Sequence, residues 1–205
     1  MEREEAVKKI SELKEKDLRE LAPKYEVTVF KDGKKNKGWA GHVIERYLGV
    51  PINSSQSPNF GSWELKVCSL KRLKNGTLTV KETMAITMID PINVANTQFE
   101  NSHLLAKLRK VVIAARIWES QAEETSVLHS VVTFDLGDTE VYRQVKEDYD
   151  LVRNTIINEG FEALTGKMGV YIQPRTKGPG HGSTSRAFYA RTGFLKKFIF
   201  QELYS

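Results

Sequence analysis

Cysteine is almost missing from this chain. Cys68 stands alone among 205 residues, so an internal disulfide is excluded and a reducing compartment is expected. Histidine is scarce too. His42, His103, His129 and His181 lie far apart, and with one cysteine no zinc-ligand spacing exists. No run approaches the roughly 20 apolar residues of a membrane span. Met1 to Lys16 is charged throughout and lacks the apolar stretch of a secretory signal. There is no internal repeat and no low-complexity linker, hence no clean domain boundary. These absences lead to the expectation of a cytoplasmic protein with no membrane association.

What is present is ordinary globular composition: 40% apolar and 28% charged residues, enough for a buried core. Lys and Arg total 31 against 26 Asp and Glu, a formal charge of +5. An excess of this size suits a polyanionic partner without requiring one.

Periodicity predicts a charged helix over Glu2 to Leu21, ended by Pro23, and a short strand over Tyr25 to Phe30. Lys31 to Lys37 (KDGKKNK) is a basic loop, by default a solvated turn. Gly38 to Gly49 reads as a helix on which Gly41 and Glu45 share a margin. Trp63 to Ser69 alternates as a strand, with Leu65 and Val67 on one face and Glu64 and Lys66 on the other. Asn75-Gly76 marks a hairpin turn, so Leu78 to Ile89 is predicted as the returning strand. A basic helix begins at Ser102. Val111 to Trp118 and His129 to Leu136 are further strands, and Thr139 to Glu159 is a long helix with Gly160 at its C-cap. Val170 to Gln173 and Arg186 to Arg191 are strands flanking the loop PRTKGPGHGSTS, and Phe194 to Tyr204 closes the chain as a helix. Trp39, Trp63 and Trp118 are expected in the core.

Chemistry concentrates in SPNFGSWELK, residues 57–66. On a strand, Glu64 and Lys66 project side by side. A carboxylate there can hold a divalent cation, and an ammonium can neutralise a phosphate, which is what phosphodiester hydrolysis requires. Taken alone, Glu-x-Lys is a common surface pair. Its context sharpens the reading: Glu45 lies on a preceding helix and Lys107 on a basic helix that follows.

The stretches KGWAGHVIERYLG, SPNFGSWELK, LKRLKNG, VKET, VANTQFENSHLLAKL and RAFYARTGFLKKF occur in this order from about Lys37 to Phe198. Together they resemble the MutH and Sau-type restriction endonuclease family of PD-(D/E)xK nucleases, the restriction branch more closely than the repair branch. The resemblance implies an α/β fold, restriction-endonuclease-like, with a central mixed β-sheet flanked by helices and two lobes around a DNA-binding cleft. The catalytic lobe would span about 1–118 and the recognition lobe about 119–205 of a single domain. It also implies roles. Glu45 matches a helix glutamate assisting the metal site, Glu64 a metal carboxylate, Lys66 the catalytic lysine, and Lys107 a further lysine near the scissile phosphate. Asn59 stands where the family has its first metal-binding aspartate, so the implied metal ligands are Asn59 and Glu64. Pro174, Arg175, Lys177 and Tyr189 match the base-reading region, and Glu82 a glutamate near it. Lys34, Lys35, Lys37, Arg186 and Arg191 would add charge to the cleft walls. GPGHG, residues 178–182, lacks the Gly-Lys-Ser/Thr ending of a phosphate loop and reads as a loop that orders over DNA.

The implied activity is magnesium-dependent cleavage of double-stranded DNA, of the type II restriction kind at GATC-like sites, by a homodimer on a palindrome. The alternatives are a mismatch-repair nicking enzyme with a MutL-like partner and a catalytically silent DNA-binding protein. An amide at 59 is a poorer magnesium ligand than a carboxylate and lowers the expected activity. It fits an aspartate deliberately replaced, a variant that tolerates asparagine, or a binder that has lost catalysis. The first is preferred because the rest of the pattern is intact.

Overall fold

The most apolar run of the chain, Lys110–Ile117, forms the strand around which the rest is arranged (β6). The computed structural model describes residues 1–50, 58–178 and 184–200. In it, β6 pairs in parallel with Glu64–Arg72 (β3), from Glu64 opposite Val111 to Leu70 opposite Ile117. On its other edge β6 pairs antiparallel with Leu128–Asp135 (β7), and β3 pairs antiparallel with Leu78–Val80 (β4). The mixed sheet has the order β4-β3-β6-β7. A central strand is covered on both faces, which explains why Val111 to Ala115 of β6 are all apolar.

Alternation along β6 divides the interior. Val112 and Ala114 enter one core with the helices Arg3–Ser11 (α1), Leu18–Lys24 (α2) and Trp39–Tyr47 (α3). Val111, Ile113 and Ala115 enter another with His103–Leu108 (α5), Thr139–Glu159 (α6) and Thr192–Ile199 (α7). That second core also includes a three-stranded antiparallel sheet of Met84–Ile89 (β5), Arg186–Ala190 (β9) and Ile172–Thr176 (β8), in that order. The fold is thus α/β with a mixed central sheet flanked by helices, as expected. Sheet membership does not follow chain order: β5 joins β8 and β9, whereas β7 joins β3 and β6.

Several elements differ from the sequence reading, each for a tertiary reason. The single helix over Glu2 to Leu21 is two helices. Between them Glu15 takes a left-handed backbone (φ 64°), its N–H donates to the Leu128 carbonyl at 2.8 Å, and Leu128 N–H returns a bond to Lys16 O at 3.0 Å. Pairing with the start of β7 outcompetes helix continuation there. Asp17 then caps α2 through Arg19 N–H, and Pro23 lies inside its last turn rather than ending it.

The strand over Tyr25 to Phe30 shrinks to Phe30–Lys31 (β1), paired with Lys34–Lys35 (β2) across Asp32 and Gly33, both at positive φ. Leu78 to Ile89 is broken into β4 and β5, which belong to different sheets. A short helix at Pro91–Asn96 (α4) was not read. Its signal was an aspartate cap, Asp90, followed by proline at the first helical position. By contrast, α6 has the expected bounds, with Asp138 accepting from Glu140 and Val141 N–H and with Gly160 at φ 92°. Trp39 and Trp63 are buried and Trp118 is half-buried. The GPGHG loop beyond Gly178, His181 and the end of the C-terminal helix lie outside the described residues.

Candidate active site

Glu64 is the first residue of β3 and is 1% exposed. A buried carboxylate must be paired, and this one is paired several times. Lys107 Nζ, from α5, lies 3.1 Å from both its oxygens, and Lys66 Nζ lies 2.7 Å from Oε1. The Asn59 backbone N–H donates to Oε2 at 2.9 Å. The Asn59 side chain links the group: Nδ2 donates to Glu45 Oε1 at 2.8 Å, and Oδ1 accepts from Lys107 at 3.3 Å. All five residues proposed from sequence for the reacting centre therefore meet, although they come from α3, a turn, β3 and α5.

Local sequence explains the convergence. The Asn59–Glu64 turn is closed by Phe60 stacking on Trp63 (3.9 Å between ring centroids) and by Phe60 N–H donating to Trp63 O, with Gly61 at φ 76°. Ser102 caps α5 through Leu105 N–H, which fixes the helix bearing Lys107 just before β6, the parallel neighbour of β3. Burial is the largest influence on two members. It pushes the Glu45 carboxyl up and the Lys107 ammonium down, each toward its neutral form, while Asn59 and Glu64 respectively oppose it. Two carboxylates face two ammoniums, so the cluster is close to charge balance.

The cluster opens on a cleft of about 640 Å³, lined among others by Lys37, His42, Glu45, Lys66, Glu82 and Arg116. Other residues expected to meet DNA are variously placed. Lys34 is exposed on β2, and Glu82 is paired with Lys81 at 3.4 Å. Pro174 is buried in β8 opposite Phe188. Arg175 is exposed, donates to Thr83 Oγ1 at 2.9 Å and lies over the Tyr189 ring. Tyr189 is opposite Ala85 and Gln173, and its hydroxyl is pushed above the usual range, chiefly by burial. The Lys177 ammonium is pushed down, first by burial and then by Lys66, which places it within electrostatic reach of the cluster. Arg186 turns to Glu162 and the Phe161 ring. The Arg191 guanidinium is occupied by the Gly166, Met168 and Gly169 carbonyls at 2.8–3.0 Å, a structural engagement with a nearby loop.

Lys35 leads to a feature the sequence reading missed. Its ammonium pairs with Glu123, a 1% exposed residue at φ 50°. The same carboxylate receives Arg116, with Nη2 3.0 Å from Oε1, and Arg116 Nη1 also donates to Ser126 Oγ at 2.7 Å. The signal was available: an arginine inside the apolar strand KVVIAARI has to be paired. Burial raises the Glu123 carboxyl, but the bonds from Arg116 and Lys35 outweigh it and hold the group below the usual range. A depressed folded value means the pairing stabilises the protein above the ordinary carboxylate pKa of 4.5 and that this stability is lost as pH falls through the folded value. Glu123→Gln is expected to lower stability at pH 7 by about 3 kcal/mol, because Arg116 is left buried without its counter-charge. Urea unfolding from pH 7 to pH 3 should show the gap between variant and parent narrowing at the acid end.

Residues 48–148, which contain Asn59, Glu64, Lys66 and Lys107, match the family model described as DNA mismatch repair enzyme MutH. The chain is similar to the MutH and Sau-type restriction endonuclease family. Type II restriction enzyme Sau3AI of Staphylococcus aureus is 26% identical over 182 residues, covering 81% of this chain and 37% of that protein. DNA mismatch repair protein MutH of Haemophilus influenzae (strain PittEE) is 27% identical over 160 residues, covering 78% of this chain and 70% of the relative. MutH of Escherichia coli O6:K15:H31 is 25% identical over 166 residues, covering 77% and 68%. The matched chain thus spans little more than a third of the restriction enzyme. The family's nucleases work with a divalent cation, and hard oxygen donors are present in Glu45, Glu64 and the Asn59 amide oxygen. Among the described residues no group of three or more His, Cys, Asp or Glu side chains is placed to hold a metal. The donor chemistry fits a hard cation, one negative charge short. No described helix is long and apolar enough to cross a membrane.

Proposed function

We propose that the protein is a double-stranded DNA endonuclease of the type II restriction kind, acting at GATC-like sites with magnesium. The observation that carries this is the meeting of Glu45, Asn59, Glu64, Lys66 and Lys107 in one cluster, of which Glu45, Asn59 and Lys66 line a cleft. Glu64 and Asn59 would hold the cation, with Glu45 beside them; when bound, it supplies Lewis-acid charge and lowers the pKa of water. Lys66 and Lys107 carry positive charge to the phosphate that turns pentavalent. Lys34 and Lys37 on one side, and Arg175, Lys177 and Tyr189 on the other, meet backbone and bases, with 1–118 and 119–205 as the two lobes. A homodimer on a palindrome would cut both strands in a cytoplasmic setting. Nicking with a MutL-like partner is the reading the mismatch-repair relatives suggest. A silent DNA-binding protein is the other alternative that the amide at Asn59 leaves open.

Digestion of plasmid by the Asn59→Asp protein with magnesium tests the proposal. Discrete fragments are expected, and none once Glu64→Gln is added. A nicked circle alone would select the repair reading. An intact plasmid bound without cleavage would select the silent binder.

A further inference from the structure

Glu64 has no acceptor capacity to spare. An ionised carboxylate offers about four lone-pair sites, two on each oxygen. Oε1 takes Lys66 Nζ at 2.7 Å and Lys107 Nζ at 3.1 Å. Oε2 takes the Asn59 backbone N–H at 2.9 Å and the same Lys107 Nζ at 3.1 Å. A metal ion can ligate this carboxylate only by replacing one of these donors.

The three donors are not equally replaceable. The Asn59 N–H belongs to the turn closed by Phe60 and Trp63, and losing its bond would open that turn. Lys66 Nζ is held from a second side by the Ile86 carbonyl at 3.3 Å, at a bulge where the β5–β9 ladder slips, and its release would uncover only Oε1. Lys107 is different. Its release would uncover both Glu64 oxygens and also Asn59 Oδ1, which accepts from it at 3.3 Å. The three protons of this ammonium are thus spent on three oxygens, and those are the hard donors that the nuclease reading gives to the divalent cation. Charge points the same way. Glu45 and Glu64 stand against Lys66 and Lys107, so a divalent ion added with both ammoniums in place would leave two uncompensated positive charges in a buried cluster.

We propose that Lys107 is the built-in cation of the cluster: its ammonium takes the place of the divalent ion on Glu64 and Asn59, and metal enters only by displacing it. The proposal rests on the nuclease reading and adds a regulation of the same site. Metal entry and the freeing of Lys107 toward phosphate become one event, and the neutral amide at 59 tips the competition toward the ammonium. A lysine that merely neutralises Glu64, with metal held elsewhere, would behave otherwise, because its loss would lower stability without improving metal binding.

The test uses the intact chain without DNA and manganese as the probe. In calorimetric titration Lys107→Met is expected to bind manganese at least about tenfold more tightly than the parent, since a like charge has left the site. Its unfolding midpoint should lie below the parent's without the ion and recover most of the difference with it. Lys107→Arg keeps the charge and should bind as weakly as the parent, and Glu64→Gln added to Lys107→Met should abolish the gain. A second measurement does not depend on that variant folding. In the Asn59→Asp protein, acylation of Lys107 by an amine-reactive ester, read by mass spectrometry, should rise several-fold when manganese is added, with the exposed Lys8 unchanged. Equal manganese affinity in the parent and in folded Lys107→Met would overturn the exchange. So would manganese binding to Asn59→Asp with no rise in Lys107 acylation, and either result leaves the nuclease reading standing. Absence of manganese binding in all of these proteins would overturn both.

Discussion

The Asn59→Asp protein is expected to bind magnesium or manganese at least tenfold more tightly than the parent, and to be less stable than the parent when no cation is supplied. Both follow from one geometry. Asn59 Nδ2 donates to Glu45 Oε1 at 2.8 Å, and an aspartate in that place turns a hydrogen bond into two facing carboxylates. Like charges at that distance cannot both ionise cheaply, so without a cation the pair shares a proton or the protein loses roughly 1–3 kcal/mol. A divalent cation converts this repulsion into attraction: a unit charge at about 4 Å contributes on the order of 4 kcal/mol at an effective dielectric near 20. Binding to the folded state then raises apparent stability by mass action. Thermal unfolding with and without millimolar magnesium reads this directly. A rise in midpoint for Asn59→Asp with little change in the parent is the expected result, and equal responses would remove position 59 from the cation site. Cleavage should follow affinity, with a rate gain of at least about a hundredfold if the added charge recovers even 2.7 kcal/mol of the barrier.

Asp148→Ala is expected to remove more stability than any other single truncation considered, about 4 kcal/mol or more. Asp148, on α6, is 3% exposed and accepts the backbone N–H groups of Val170, Tyr171 and Ile172 at 2.7, 2.7 and 2.8 Å, with Gln144 Nε2 at 3.1 Å. Each donor left buried and unpaired costs roughly 1–3 kcal/mol, against a whole-domain stability of about 5–15 kcal/mol. The surroundings give no relief. Gly169 has φ 75° and no room for a side chain, since a Cβ there would come within 1.8 Å of the Ile172 carbonyl. From the other side Arg191 grips the same loop through the Gly166, Met168 and Gly169 carbonyls. Asp148→Asn keeps the shape but replaces one acceptor oxygen with a donor, so it should cost about 2 kcal/mol. Urea midpoints checked against duplex binding should show the two falling together, because this loop leads directly into β8, which carries Arg175. A small loss in Asp148→Ala would mean that water reaches these amides.

Glu64, Lys66 and Lys107 were legible because their chemistry is local in its grammar: a carboxylate and an amine on alternate residues of a strand, and a lysine on a capped helix shortly before the next strand. The long helix α6 was legible to its ends for a similar reason. An aspartate cap, a regular apolar stripe and a terminal glycine are all instructions carried within a few residues. The central strand's apolar continuity likewise announced a buried position.

What the order of residues could not convey is which distant segments compete for the same backbone groups. The split between α1 and α2 arises because residues 126–128 take the bonds a continuous helix would have used, and nothing between Glu2 and Leu21 signals that competitor. Arg191 and Lys35 carry charges that composition assigns to solvent or to phosphate, and the fold engages them with loop carbonyls and a buried glutamate instead. The Ile86 carbonyl is the extreme case, since every residue has one and only the bulge places this one on Lys66. Side-chain identity and short-range spacing thus determined the candidate groups and most elements, whereas long-range pairing of backbone and charge, which depends on what arrives from elsewhere in the chain, was settled by the tertiary structure alone.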